Sequence, residues 1–372
     1  MRLPSLLLST FGLLAASLHA ADPIKIGEYA SLTGKEAAYG QTSHKGTLLA
    51  IEELNARGGA LGRPLVLLTE DNQSKQGESA TAVKKLISRD QVVALLGEVA
   101  SIRSLEAAPV IQNAKIPMIA PSSVNSRITE VGDYIFRVCF VDAFQGNVLA
   151  KFVQETLHVR RVAILTSVSN AYSVGMTRIF KGRFVADGGT VVAEQKYSEG
   201  DKDFRAQLTA VKAAGADAIF ASGYYTEAAL ICRQARQLGL DMPIFGGDGW
   251  DAPPLIEIGG QAVEGTYFST HYSPDNPSPV VQEFNHRYLA RWGELPDAWA
   301  ALGYDSAFVL ADAIRRAGST EPKAIRDALA ATKDFPAVTG NITIDTKRNA
   351  SKSAVILTIK DGKYKFIATV AP

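Results

Sequence analysis

Residues 91–124, QVVALLGEVASIRSLEAAPVIQNAKIPMIAPSSV, restrict the fold more than any other stretch of the chain. Residues 92–96 form a short apolar run between Asp90 and Gly97, the pattern of a parallel strand buried on both faces. Residues 102–114 then place Ile102, Leu105, Ala107, Ala108 and Ile111 at helical spacing, with Asn113 near the stop. Residues 117–120 read as a second strand, followed by Pro121-Ser122-Ser123. This is a strand–helix–strand unit whose two strand-end loops carry serines at or near a helix start. In open α/β sheets, ligands bind outside the carboxyl ends of the strands. Amide N–H groups at a helix start, backed by serine hydroxyls, can seat a carboxylate. Taken singly, Ser101 or Ser122 reads better as a helix cap than as a ligand group.

The alternation extends in both directions. Before this unit come strands at 24–30 and 64–69, with helices at about 39–57 and 78–88, the first ending at Gly58-Gly59. From about Phe144 the pattern restarts. Helices are expected at 144–157, after the polar loop ending at Tyr172, from Phe204, and at 226–238. Strands are expected at 161–166, 191–197, 218–222 and 243–246. The interval from Gly97 to Gly223 equals that from Pro117 to Pro243, and the same interval sets Ser122 against Asp248. Two like-built α/β lobes facing one cleft account for that echo. The last third opens with a turn-rich connector, 272–279. Helices follow at 280–292, 297–317 and 322–330, and a terminal hairpin at 354–360 and 365–370 turns on Asp361-Gly362.

The first 20 residues read as an export leader: Arg2, an apolar run over 6–18, and a small-residue cleavage site at Ala20. No later stretch reaches the roughly 18 apolar residues of a membrane span, so an exported, soluble product of two domains is expected. Without Arg2 the basic and acidic side chains balance, which argues against nucleic acid or an anionic membrane surface as partner. Cys139 and Cys232 read as two buried thiols.

Catalytic signatures are missing. Residues 27–34 have neither the dinucleotide glycine spacing nor a P-loop lysine. Ser173 approaches a nucleophile-elbow pattern but stands several residues beyond its strand. His44, His158, His271 and His286 lack metal-ligand spacing and read as surface or hydrogen-bonded core. No enzyme activity, metal or cofactor is expected. The strand-end loops offer binding groups instead: Tyr39, Val99, Ala100, Ser101, Ser122, Ser123 and Val124 from the first lobe, and Tyr172, Tyr224 and residues 246–250 from the second. Hydroxyls and amides on one side and aromatics with Asp248 on the other suit a zwitterion, each buried charge-assisted hydrogen bond contributing about 1.5–3 kcal/mol. Glu98 and Arg103 read as solvated loop charges, and one of Tyr224 and Tyr225 as packing.

At these residues the chain resembles the periplasmic branched-chain amino-acid-binding protein family, the substrate-binding components of ABC importers with the type I periplasmic binding fold. The resemblance runs over the whole mature chain. It rests on Leu32-Thr33-Gly34 with Tyr39-Gly40, Asn55-Ala56-Arg57-Gly58-Gly59 with Gly62, Gly97 with Ser101, Pro121-Ser122, and Gly246-Gly247-Asp248-Gly249. It implies two Rossmann-like parallel-sheet lobes with a central cleft and three inter-lobe crossings, near Asp142, His271 and Asn349. Lobe one would be 22–142 plus 272–349, and lobe two 143–271 plus 350–372. By the same resemblance Ser101 and the backbone at Ser122 hold an α-carboxylate. Tyr172 adds a contact, Tyr224 and Asp248 recognise the ammonium, and Tyr39, Val99, Ala100 and Trp299 select the side chain. The implied role is periplasmic capture of a small solute, an amino acid of branched-chain or hydrophobic type, by a monomer serving an inner-membrane ABC permease. A sensory protein reporting to a receptor is the alternative. Val124 stands where well-known members carry threonine, so Ser123 is the candidate replacement hydroxyl. Gln73 and Ala100 occupy those members' disulfide half-positions.

Overall fold

A computed structural model describes residues 22–371; the leader and its cleavage site lie outside the described residues. The chain begins β1 (Ile24–Ala30), α1 (Ala37–Ala56), β2 (Leu65–Asp71), α2 (Glu78–Ser88), β3 (Ala94–Leu96), α3 (Ser101–Ala114), β4 (Met118–Ala120), α4 (Arg127–Glu130) and β5 (Ile135–Arg137). These five strands pair in parallel in the order β2-β1-β3-β4-β5. The central strands β3 and β4 are buried at every residue, because helices cover both faces; this is why their sequences run apolar rather than alternating.

The second half repeats the plan. It runs α5 (Asp142–Glu155), β6 (Arg161–Ser167), α6 (Ala171–Ala186), β7 (Thr190–Tyr197), α7 (Arg205–Ala214), β8 (Ala218–Ala221), α8 (Tyr225–Gln237), β9 (Ile244–Gly246), a 3₁₀ turn (Asp248–Trp250), α9 (Pro253–Gly259) and β10 (Tyr267–Thr270). The order β7-β6-β8-β9-β10 is the first sheet's order again, so the echo in the sequence is an echo in topology. In each sheet the connections reverse direction beside the first strand, which opens a crevice at the carboxyl edge.

The chain then passes through residues 271–278 to α10 (Pro279–Trp292), α11 (Ala298–Ala317) and α12 (Pro322–Ala330). Of these, α11 lies along α1 and reaches β3 and β4, so this segment packs on the first sheet. The α1–α11 crossing is close because its contact residues are small. A Cβ on Gly46 would stand 1.9 Å from the Ala300 carbonyl oxygen, and one on Gly303 2.2 Å from that of Ser43. After the short ladder β11 (Thr343–Ile344) with β12 (Ala350–Ser351), the hairpin of β13 (Ala354–Lys360) and β14 (Lys363–Val370) joins the second sheet, β13 antiparallel to β10. Asp361 and Gly362 both take positive φ, as a tight two-residue turn requires.

Expected elements recur with ends shifted by a few residues. The short elements α4, β5, α9, β10, β11 and β12 were not expected. β5 and β10 are only three and four residues long, and each ends on polar residues, Arg137 and Ser269-Thr270, which the fold buries. Cys139 and Cys232 are free and buried. Among the described residues, no helix is long and apolar enough to cross a membrane.

Candidate ligand-binding site

A narrow, nearly filled cavity lies between the carboxyl edges of the two sheets, with about 10 Å³ of free space. That is room for about one water molecule, far below the roughly 300–1,000 Å³ of drug-sized pockets, so a ligand of amino-acid size fits only if the two walls move apart. Its first-lobe wall comes from the loop after β3 (Val99, Ala100) and the start of α3 (Ser101), the loop after β4 (Ser122), and Tyr39 on α1. Its second-lobe wall comes from Tyr172 on α6, Tyr224 after β8, and Asp248-Gly249 after β9. Trp299 on α11 completes it. The structure thus brings nine of the ten expected residues to one cavity; Ser123 lies outside it.

The capping reading of Ser101 fails geometrically. Ala100 is the cap residue of α3, in extended conformation, and Ser101 is the first residue of the helix with no capping bond. Its hydroxyl accepts only a long bond from the Asn125 amide, 3.3 Å. The leading N–H groups of a helix have no partner within it, so α3 presents donors and a partial positive charge beside the cavity. Ser122 Oγ is 3.5 Å from His271 Nε2. Ser123 turns the other way, its hydroxyl 2.7 Å from Ser104 Oγ and donating at 2.7 Å to the Glu98 carbonyl, so it does not supply the hydroxyl absent at Val124. Val124 is itself buried behind the wall.

Opposite stands Asp248, 2 % exposed. Its Oδ2 is 3.0 Å from His271 Nε2, while its Oδ1 has no hydrogen-bond partner. Tyr172 OH accepts from the Gly249 amide at 3.1 Å. Burial, and then the Asp248 carboxylate, drive the Tyr172 pKa well above its ordinary value, which keeps the phenol protonated. The aromatic rings form a wall around Tyr39, which meets Tyr224, Tyr225 and Trp299 edge-on at 5.4, 5.0 and 5.2 Å.

Several bonds tie the lobes together around the cavity. Tyr39 OH donates to the Gly249 carbonyl, Tyr225 OH to the Lys35 carbonyl at 2.7 Å, and Asn125 Nδ2 to the Ala171 carbonyl at 2.8 Å; Lys35 pairs with Glu199. Tyr225 is therefore an inter-lobe contact, and Tyr224 is the member of the pair that lines the cavity.

Glu98 and Arg103 correct the sequence reading, because both are buried rather than solvated. Glu98 accepts from the Ser31 amide and hydroxyl, Asn72 and the Ala100 amide, which fixes the loop that carries Val99 and Ala100. Burial, then repulsion from Glu36, pushes its pKa up to about 7. Arg103 donates to Glu36 at 2.9 Å and to the Ser74 carbonyl at 2.7 Å. His271 is the site neighbour that residue spacing could not reveal, since its partners Asp248 and Ser122 are distant in sequence. The Ser173 hydroxyl accepts from the Ser167 amide and meets Ser222 Oγ at 2.7 Å, an arrangement without a histidine base. Among the described residues, no group of His, Cys, Asp and Glu is arranged to hold a metal ion.

The family model described as periplasmic binding protein matches residues 23–363. The Leu/Ile/Val-binding protein BraC3 of Rhizobium johnstonii is 32% identical over 323 residues, covering 86% of this chain and 87% of that protein. The crystal structure of a leucine binding protein, LivK, from Thermotoga maritima superposes with a TM-score of 0.91 at 41% identity, over 94% of this chain and 99% of that one. LivJ from Streptococcus pneumoniae in complex with isoleucine gives 0.89 at 34%, over 94% and 100%. A solute-binding protein from Rhodopseudomonas palustris BisB5, in complex with 3,4-dihydroxybenzoic acid, gives 0.84 at 26%, over 94% and 97%. The paired sheets of identical strand order, the cavity at their facing edges and these matches lead to one conclusion: the chain belongs to the periplasmic binding protein family.

Proposed function

We propose that this protein captures a small hydrophobic α-amino acid of the branched-chain type in the periplasm, closes its lobes around it, and delivers it to an ABC permease in the inner membrane. The leader would direct export and be cleaved near Ala20, and the working form would be a monomer. The observation that carries the reading is the buried Asp248 carboxylate, one oxygen unpartnered, across a small cavity from Ser101, Ser122 and the start of α3. That pair of walls complements an ammonium on one side and a carboxylate on the other, each worth about 1.5–3 kcal/mol once water is excluded. Val99, Ala100, Tyr39 and Trp299 leave the third direction apolar, and burying a leucine-sized side chain there adds about 1.5–3 kcal/mol. An aromatic acid, the ligand of the Rhodopseudomonas relative, would bring a carboxylate but no cation for Asp248. The named ligands of BraC3, LivK and LivJ support the amino acid.

Lobe closure is a hinge motion in which the ligand binds one state better than the other. The inter-lobe bonds of Tyr39, Tyr225, Asn125 and Lys35 would form only in the closed state. The test is calorimetric titration of the purified protein with L-leucine, L-isoleucine, L-phenylalanine and benzoate. Binding of an aliphatic amino acid is expected; binding of benzoate in place of every amino acid would refute the reading. Loss of solute uptake on gene deletion, rather than loss of a response, separates the importer role from a sensory one.

A further inference from the structure

Residues 271–278 join the second sheet to the helices packed on the first, and His271 opens that connection. Its imidazole is buried, stacked on Phe140 at 3.7 Å between ring centres, with Trp299 at 6.2 Å. One ring nitrogen, Nε2, lies 3.0 Å from Asp248 Oδ2 and 3.5 Å from Ser122 Oγ, so it stands between the polar groups of the two cavity walls. The other, Nδ1, has no partner among the described residues. We infer that His271 is a positioning residue for ligand capture, donating its Nε2 hydrogen to Asp248 Oδ2 so that Oδ1 faces the ligand's ammonium group, and that it must be neutral to do so. The inference rests on the proposed amino-acid reading and extends it.

Asp248 accepts at Oδ2, so a neutral His271 must carry its hydrogen on Nε2. A second proton would have to enter at Nδ1, which is buried without an acceptor. The added positive charge would lie beside the carboxylate that the ammonium needs. Burial lowers the His271 pKa, opposed by the bond to Asp248, and the nearby Lys352 adds to the lowering. Of the other ionisable groups around it, the Cys139 thiol is pushed by burial up to about 12 and stays neutral. Asp251, on the same turn as Asp248, is pushed up to about 8, again mainly by burial, and is largely protonated at neutral pH. Asp248 is therefore the carboxylate in hydrogen-bond contact with the ring. As the lobes part, Ser122 and Asp248 separate and water reaches the imidazole. Capture from mildly acid solution must then expel a proton from His271, and affinity falls with pH below the ordinary histidine range.

The test is calorimetric titration with L-leucine between pH 5 and 8 on the wild type, His271→Gln and His271→Phe, with ¹⁵N NMR of the histidine rings in the leucine-bound wild type. The wild type should lose about tenfold in affinity per pH unit once the pH falls below the ordinary histidine range. His271→Gln, which keeps a donor but cannot titrate, should bind within about threefold of the wild type at pH 7.5 and show a flat profile. His271→Phe should lose at least about tenfold at every pH. NMR should report the neutral Nε2–H tautomer in the complex, a readout that needs no variant to fold. An unchanged pH slope in His271→Gln, full affinity in His271→Phe, or an imidazolium in the complex overturns the inference while leaving the proposed function intact. A wild type that binds benzoate but no amino acid overturns both.

Discussion

Replacing Tyr39 with phenylalanine removes one hydroxyl and leaves the ring. The ring matters to the wall, because Tyr224, Tyr225 and Trp299 pack on its edges and faces within 5.4 Å. The hydroxyl matters to closure: it donates across the cleft to the Gly249 carbonyl, and Tyr39 is 1 % exposed. In an open form both groups would be solvated, so the substitution acts mainly on the closed state. There the Gly249 carbonyl loses its partner while remaining buried, at a cost of about 1–3 kcal/mol. Since ligation and closure are coupled, the full cost enters the binding free energy, and affinity for L-leucine should fall about fivefold to a hundredfold. The loss should lie in the dissociation rate, because the bond forms after encounter. Stopped-flow tryptophan fluorescence gives both rates and calorimetry the equilibrium, with the ligand-free melting temperature as control. An unchanged dissociation rate would refute the closure argument. So would a fall in ligand-free stability as large as the loss in binding, which would make Tyr39 a core residue whose role does not depend on closure.

Other substitutions test the supporting structure. Arg103→Met leaves the Glu36 carboxylate buried without its cation and should destabilise the protein by about 3–5 kcal/mol. Burial already raises the Glu36 pKa against the lowering effect of Arg103, so the deficit should shrink as pH falls toward 4; chemical denaturation that shows a constant deficit contradicts this. Asp251 has a folded-state pKa pushed up to about 8, chiefly by burial and then by Asp297. Unfolding therefore releases a proton between about pH 4 and 8, and this group's contribution to stability is lost as pH rises through that window. Asp251→Asn, whose side-chain oxygen can still accept from Thr270, should gain about 2 kcal/mol relative to the wild type between pH 5 and 7. Melting curves whose difference does not change with pH would count against it.

The parts of the fold legible in the sequence are those where burial on both faces leaves unbroken apolar runs, as in 94–96, 118–120 and 218–221, each ending at a glycine, proline or serine loop. That punctuation also exposed the repeat, and with it the pairing of Ser122 and Asp248 across the cavity. The six short elements left no comparable periodicity. Ser122 and Ser123 could not be told apart, because neighbouring residues at a strand end point to opposite sides and only the packing of Ser104 shows which faces inward. Charges were harder still. Arg103 finds Glu36 and Glu98 finds Ser31 at separations of 67 residues, and no local pattern announces that a loop charge will be buried by a partner so far away. His271 is buried and hydrogen-bonded, one of the two readings its sequence allowed, but its partners Asp248 and Ser122 left no local signal for the same reason.

The two-walled cavity stands or falls on how Asp248 treats a cationic ligand. Calorimetric titration of L-leucine into the wild type and Asp248→Asn measures this most directly. The ammonium, desolvated beside a neutral amide, should cost at least about 2 kcal/mol, a roughly thirtyfold loss of affinity. Equal affinities in the two proteins would place the ammonium elsewhere and contradict the account.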